Sequence, residues 1–231
     1  MQDKKVLFHV HSWRCGHAEK VPDQVYIEKA LSMRADEIVF TDHAPFPEDP
    51  FRNRMKMKDL DEYLTTLSEL KDKYYRQIDI RIGLEIEYLP SFEFYYDKLK
   101  KIPQLDLLLL GQHHFEVSLM HYSFEEDFSD DKKARLYGTM NAQIKGVESG
   151  YFEVIAHPDR CMRDMKSWNP EIETLSNELI EKAIKHNVVL EKNLASMNHK
   201  KEYWPEFWKL VPPGTATITG CDAHFVKDLH F

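Results

Sequence analysis

Glycine is scarce in this chain, at 8 of 231 residues, and no Gly-rich loop follows the first β-rich run. That removes the usual fingerprint of a doubly wound nucleotide-binding sheet. Cysteine is scarcer still. Cys15, Cys161 and Cys221 are too few and too scattered for a disulfide framework, and they form no C-x-x-C pair. Long apolar runs are missing. The longest, Leu105 to Leu110, is interrupted by Asp106 and falls far short of a membrane span. The opening MQDKKVLFHVHS has charge but no apolar stretch suited to a signal peptide. Positive charge is in deficit, with 31 Lys plus Arg against 39 Asp plus Glu and a net charge of −8. Phosphate backbones and anionic lipids attract basic faces, so neither long nucleic acid nor a membrane is an expected partner. The expectation is a reduced, cytoplasmic protein, one domain over residues 1–231, with no oligomeric state set by the sequence.

What remains is an ordinary globular composition, 42% hydrophobic and 30% charged, arranged as an alternation. Strands are expected at Lys5–His11, Ile38–Asp42, Ile78–Glu87, Leu105–His114, Phe152–His157, Val188–Asn193 and Ala216–Asp222. Between them, helical spacing runs through Pro22–Arg34, Leu60–Tyr75, Asp130–Ser149 and Glu171–His186. The runs FHV, IVF, LLLL, VIA and VVL are nearly all apolar, as in strands buried on both faces. Seven such units predict a closed or nearly closed α/β barrel of mostly parallel strands, with a doubly wound sheet as the alternative.

Histidine is the abundant exception. There are 12, and most sit where a predicted strand ends. The first strand offers His9 and His11, with His17 six residues on. The second offers Asp42 and His43, the third Glu85 and Glu87, and the fourth His113 and His114. The fifth ends at His157, and the seventh at Asp222 and His224. That edge holds the active site in barrels of this kind. Residues two apart on a strand share a face, so His9 with His11 and Asp222 with His224 read as chelating pairs. Imidazole with carboxylate suits zinc, iron or manganese. Seven histidines (9, 11, 17, 43, 114, 157, 224) and two carboxylates (Glu85, Asp222) are too many for one ion. They suffice for three if Glu85 bridges two. His121, His186, His199 and His230 lie in polar stretches and are expected at the surface.

In order, HVHSxxCGH, FTDHAP, GLEIEY, GQHHF, AHPD and GCDAH resemble the motifs of the polymerase and histidinol phosphatase (PHP) family, and within it the histidinol-phosphatase branch. The resemblance implies a distorted (β/α)7 TIM-like barrel and three divalent transition-metal ions. It assigns His9, His11, Glu85 and Asp222 to one ion, Glu85, His114 and His157 to a second, and His17, His43 and His224 to a third. Departures are visible. Gly-Ser-Val-His becomes Gly111-Gln112-His113-His114, where His114 is matched to the ligand and alternation turns His113 away. Cys221 replaces a serine. No Arg follows Asn193, where family phosphatases tend to have one. The chain ends seven residues after His224, so the family's final helix is expected to be absent or trimmed.

The implied reaction is hydrolysis of a small-molecule phosphate ester, L-histidinol phosphate first, by metal-activated water. Asp42, Glu85 and His17 are the expected catalytic residues. Arg160 and Arg163 are the expected phosphate clamps, since guanidinium grips phosphate with two prongs. Arg52 and Arg54 lie on the loop after the second strand and also come within reach of substrate. Asp159 is expected to orient a ligand histidine, and Glu87 is a weaker candidate for a substrate amine. An amidohydrolase-type reading needs an eighth strand and a lysine on the fourth, and neither is present. A non-catalytic metal-binding module is the reading from a different class.

Overall fold

The computed structural model describes residues 4–199 and 202–231. Strands β1 (Val6–Val10), β2 (Glu37–His43), β3 (Asp79–Ile86), β4 (Leu107–Leu110), β7 (Val154–Ile155), β8 (Val189–Asn193) and β9 (Thr217–Ala223) form a closed barrel in that order. β1 pairs in parallel with β2 and β9, β2 with β3, β4 with β7, and β7 with β8. The (β/α)7 TIM-like expectation therefore holds. The remaining strands, β5 (Glu116–Ser118) and β6 (His121–Tyr122), make a small antiparallel hairpin that the sequence pattern did not announce. The helices are α1 (Asp23–Ser32), α2 (Leu60–Tyr74), α3 (Glu93–Leu99), α4 (Lys132–Ser149), α5 (Pro170–Lys185), α6 (Leu194–Met197) and α7 (Pro205–Leu210).

By internal contacts the chain divides into two compact units. The first is Met1–Glu85, Leu99–Leu108 and Thr219–Phe231; the second is Ile86–Lys98 and Leu109–Ile218. In the first, α2 buries Leu60, Tyr63, Leu64 and Leu67 at three- and four-residue spacing, the stripe that a core-facing helix requires. The Tyr63 hydroxyl donates to the Gly83 carbonyl at 2.8 Å, which ties α2 to β3. In the second, local chemistry sets the helix ends. The Asp131 side chain accepts from Ala134 N at the start of α4, and Gly150 ends that helix at φ 78°. Asn169 caps α5 ahead of Pro170. Gly146 lets α4 lie close to β4, because a Cβ there would sit 2.7 Å from Leu110 and 3.0 Å from Tyr88.

Candidate metal centre

The first unit gathers seven of the expected ligands. Parallel register sets His43 beside Glu85, and His43 Nδ1 lies 2.9 Å from Glu85 Oε2. His9 Nε2 is 3.4 Å from the same Glu85 oxygen and 3.7 Å from Asp222 Oδ1. His11 Nε2 is 3.5 Å from Glu85 Oε2 and 3.3 Å from Asp222 Oδ1. Simple strand alternation is not what brings His9 and His11 together. The pairing register of β1 shifts at this point, and His9 has φ 68°. A bulge thus sets the two rings 4.9 Å apart. Asp222 and, in the second unit, His157 are also left-handed, at φ 52° and 32°. Non-glycine residues rarely hold that conformation unless their surroundings impose it.

His17 and His224 add a second cluster with His43, its ligand atoms within 4.8 Å of one another. The Nδ1 of His17 lies 3.2 Å from the Cys15 carbonyl, and that of His224 lies 3.2 Å from the Asp222 carbonyl. A carbonyl only accepts, so each Nδ1 carries the proton and donates. Both Nε2 atoms are then bare acceptors, and they face each other at 2.9 Å. Burial depresses the pKa of all three rings. His224 falls to about 3, with His11 adding to the effect; His43 falls well below normal, with the Arg54 charge second; His17 falls less. Neutral rings with opposed lone pairs repel unless a cation sits against them. His11 differs: burial disfavours its charge, but the carboxylates of Asp222 and Asp42 outweigh this and raise its pKa. The fully buried pocket around it favours positive charge.

The second unit is built on pairing. Glu87 is fully buried and meets His113 Nδ1 at 3.2 Å. The rings of His113 and His157 are 5.1 Å apart. Residues 111–114 lie beyond the end of β4, so the alternation expected to turn His113 away does not apply there. His114 instead sets its ring edge-on to Phe124 at 5.2 Å. His157 N donates to Glu191 Oε2 at 3.0 Å. Arg160 donates from Nε to Ser196 Oγ and from Nη2 to Asn193 Oδ1, both at 2.9 Å. Asp159 accepts from Trp204 N at 2.7 Å and Trp208 Nε1 at 3.1 Å. Burial raises its pKa to about 6 against those donors.

The sequence matches the PHP domain over residues 8–195. The chain belongs to the PHP family. It is 28% identical over 156 residues to the "Probable histidinol-phosphatase" of Deinococcus radiodurans, covering 65% of this chain and 59% of the relative. It is 36% identical over 131 residues to the "Histidinol-phosphatase" of Bacillus subtilis strain 168, covering 52% of this chain and 47% of that one. The chain spans about half the length of the curated relatives it matches. In fold it is similar to a crystal structure of histidinol phosphate phosphatase from Lactococcus lactis, complexed with zinc, L-histidinol and phosphate. The TM-score is 0.73 at 20% identity, over 96% of this chain and 87% of that one.

The donor set of this PHP domain suits a transition-metal cation. His11 Nε2 is fully buried, makes no hydrogen bond among the described residues, and is flanked by two carboxylate oxygens. The other expected residues are placed as follows. Asp42 is fully buried and accepts from Ser12 Oγ at 2.5 Å. Arg54 is buried and Arg52 exposed. The Arg160 side chain is only 17% exposed, whereas Arg163 is 45% exposed and 3.9 Å from Glu202, so only the former is held in one pose. Glu87 is fully buried and meets His113. His121, His186, His199 and His230 are all at least partly exposed. Sequence reasoning missed Arg14, which lies beside Asp23 and Glu62, and it missed the Asn193–Ser196 cradle for Arg160. An Arg two residues past an HxHS motif is a faint signal for the first; no local pattern marks the second. No helix among the described residues is long and apolar enough to cross a membrane.

Proposed function

We propose that this chain is a metal-dependent phosphomonoesterase that hydrolyses L-histidinol phosphate to L-histidinol and phosphate. The observation that carries the reading is the opposed, proton-free Nε2 pair of His17 and His224 beside the Glu85–Asp222 carboxylates. The names of the curated relatives, and the zinc, histidinol and phosphate of the L. lactis structure, support the substrate.

His9, His11, Glu85 and Asp222 would hold one divalent ion, and His17, His43 and His224 another. In the second unit, His113 and His157 are the imidazoles we assign to metal, with His113 taking the place expected of His114. Zinc, iron and manganese all suit these donors, and three ions is the number proposed. Bound ions would bring the pKa of water near neutrality and offset phosphate charge. The chain does the rest. Asn193 and Ser196 fix the Arg160 guanidinium to receive phosphate oxygens. Glu87 holds the proton of His113 on Nδ1 and leaves Nε2 as the donor atom.

The test is phosphate release from metal-reconstituted protein. L-Histidinol phosphate is compared with sugar phosphates, nucleotides and phosphotyrosine peptide, and a His9→Ala, His11→Ala double variant is the control. Selective turnover of histidinol phosphate, lost in the double variant, is expected. Selective turnover of another ester overturns the substrate and keeps the chemistry. No release from metal-loaded protein overturns both.

A further inference from the structure

Arg14, in the first unit, is a buried cation held by three side chains. Its side chain is 1% exposed. Nε and Nη2 donate to the two oxygens of Glu62 at 2.6 and 3.0 Å. Nη1 donates to Asp23 at 2.8 and 3.0 Å and also to Ser12 Oγ at 3.0 Å. Nothing in the reaction as argued above uses this cluster. Its direction is informative. Arginine has donors only, so the Ser12 hydroxyl must accept from it. The hydroxyl proton is then committed to Asp42 Oδ2 at 2.5 Å. That leaves Asp42 Oδ1 facing His11 Nδ1 at 3.7 Å, an ionic contact longer than a hydrogen bond. On the other side of the same ring, Nε2 faces Glu85 and Asp222.

We infer that Arg14 and Ser12 are positioning residues: they hold Asp42 so that the His11 ring keeps its proton on Nδ1 and presents Nε2 to a divalent cation. Arg14 draws Ser12 into one hydroxyl orientation. The serine saturates one oxygen of Asp42, and the other oxygen favours one tautomer of His11. Carboxylates behind metal-ligating histidines act in this way, and their loss typically weakens metal binding about 10- to 100-fold. This chain extends the device by two residues, to a charge cluster that involves α1 and α2 through Asp23 and Glu62. Asp42 is thereby a positioning group, not the acid that protonates the leaving alkoxide. The inference rests on the metal-site reading above, though not on the identity of the substrate.

Ser12→Ala is the cleanest break, because it disconnects Asp42 and leaves the Arg14–Asp23–Glu62 cluster intact. Glu62→Gln is the second variant; it loosens Arg14 from a partly exposed position and is less apt to disturb folding. Zn²⁺ affinity is read by competition with a chromophoric chelator, and the site by the visible absorption of the Co²⁺-loaded protein. Circular dichroism melting of the metal-free protein runs beside both. The expected result for Ser12→Ala is an affinity loss of about 10- to 100-fold for one ion and a changed Co²⁺ band, alongside a lowered metal-free melt from the lost buried hydrogen bond, which by itself would not move the Co²⁺ band. Glu62→Gln shifts in the same direction by less. Unchanged affinity and an unchanged Co²⁺ band in Ser12→Ala would overturn the inference, as would a parent protein that binds no divalent ion. A parent that binds metal yet releases no phosphate would sink the phosphatase reading and leave this test intact.

Discussion

The two compact units solve opposite electrostatic problems. The first crowds five imidazoles and two carboxylates together, and burial strips charge from three of the rings. The Nε2 atoms of His17 and His224 face one another as acceptors, an arrangement that suits a cation. The second pairs what it buries: Glu87 with His113, Glu191 with the His157 amide, and Arg160 with Asn193 and Ser196. There each buried charge or ring named meets a fixed partner. Facing imidazole acceptors beside carboxylates suit a cation, and an arginine fixed by neutral side chains, as Arg160 is by Asn193 and Ser196, keeps its charge for an anion. That contrast says more about chemistry than the histidine count does.

The strongest way to break the contrast is to remove a first-unit donor. His224→Ala should lower the number of bound divalent ions per chain and bring phosphate release to background, read by elemental analysis and turnover on one preparation. Unchanged metal content would mean that the opposed Nε2 pair holds no ion. Leu67→Ala addresses the core instead. Leu67 is fully buried on α2, and truncation should cost about 2–5 kcal/mol in denaturant unfolding. Arg160→Ala is the matching cut in the second unit. It should leave metal content intact and weaken kcat/KM by about 10- to 150-fold, the worth of ~1.5–3 kcal/mol for hydrogen bonds to a charged group. Loss of metal in that variant would erase the division of labour. Gly146→Ala should destabilise by about 1–3 kcal/mol through its close approach to Leu110 and Tyr88. Lys182→Ala, which breaks an exposed pair with Glu148, should leave unfolding and turnover unchanged.

The barrel was legible because a strand buried on both faces needs a continuous apolar run. Glu37–His43 and Val189–Asn193 fall within a residue of the expected spans. Elements without such a run were not legible. The hairpin at Glu116–Tyr122 and the short α6 and α7 arise from local caps and long-range contacts that leave no periodicity. The same division governs the site. His9, His11, Glu85 and Asp222 converge because they end neighbouring strands, and strand ends are readable. The expectation that His113 turns away carried alternation past Leu110, where the strand stops. The Ser12–Arg14 link joins residues 30 to 50 positions apart to the first strand, and only the folded chain brings those together.

The left-handed backbone at His9, His157 and Asp222 has a bearing on the lifetime of the protein. Each such residue is held against about 1–3 kcal/mol of local strain. A ligand that binds only the folded form adds stability in proportion to the logarithm of its concentration over its Kd. On the proposed metal-site reading, metal-starved chains would be the weaker folders, would open more often and would be cut sooner by proteases. Supply of the ion would then govern how much of the protein persists as well as how fast it works.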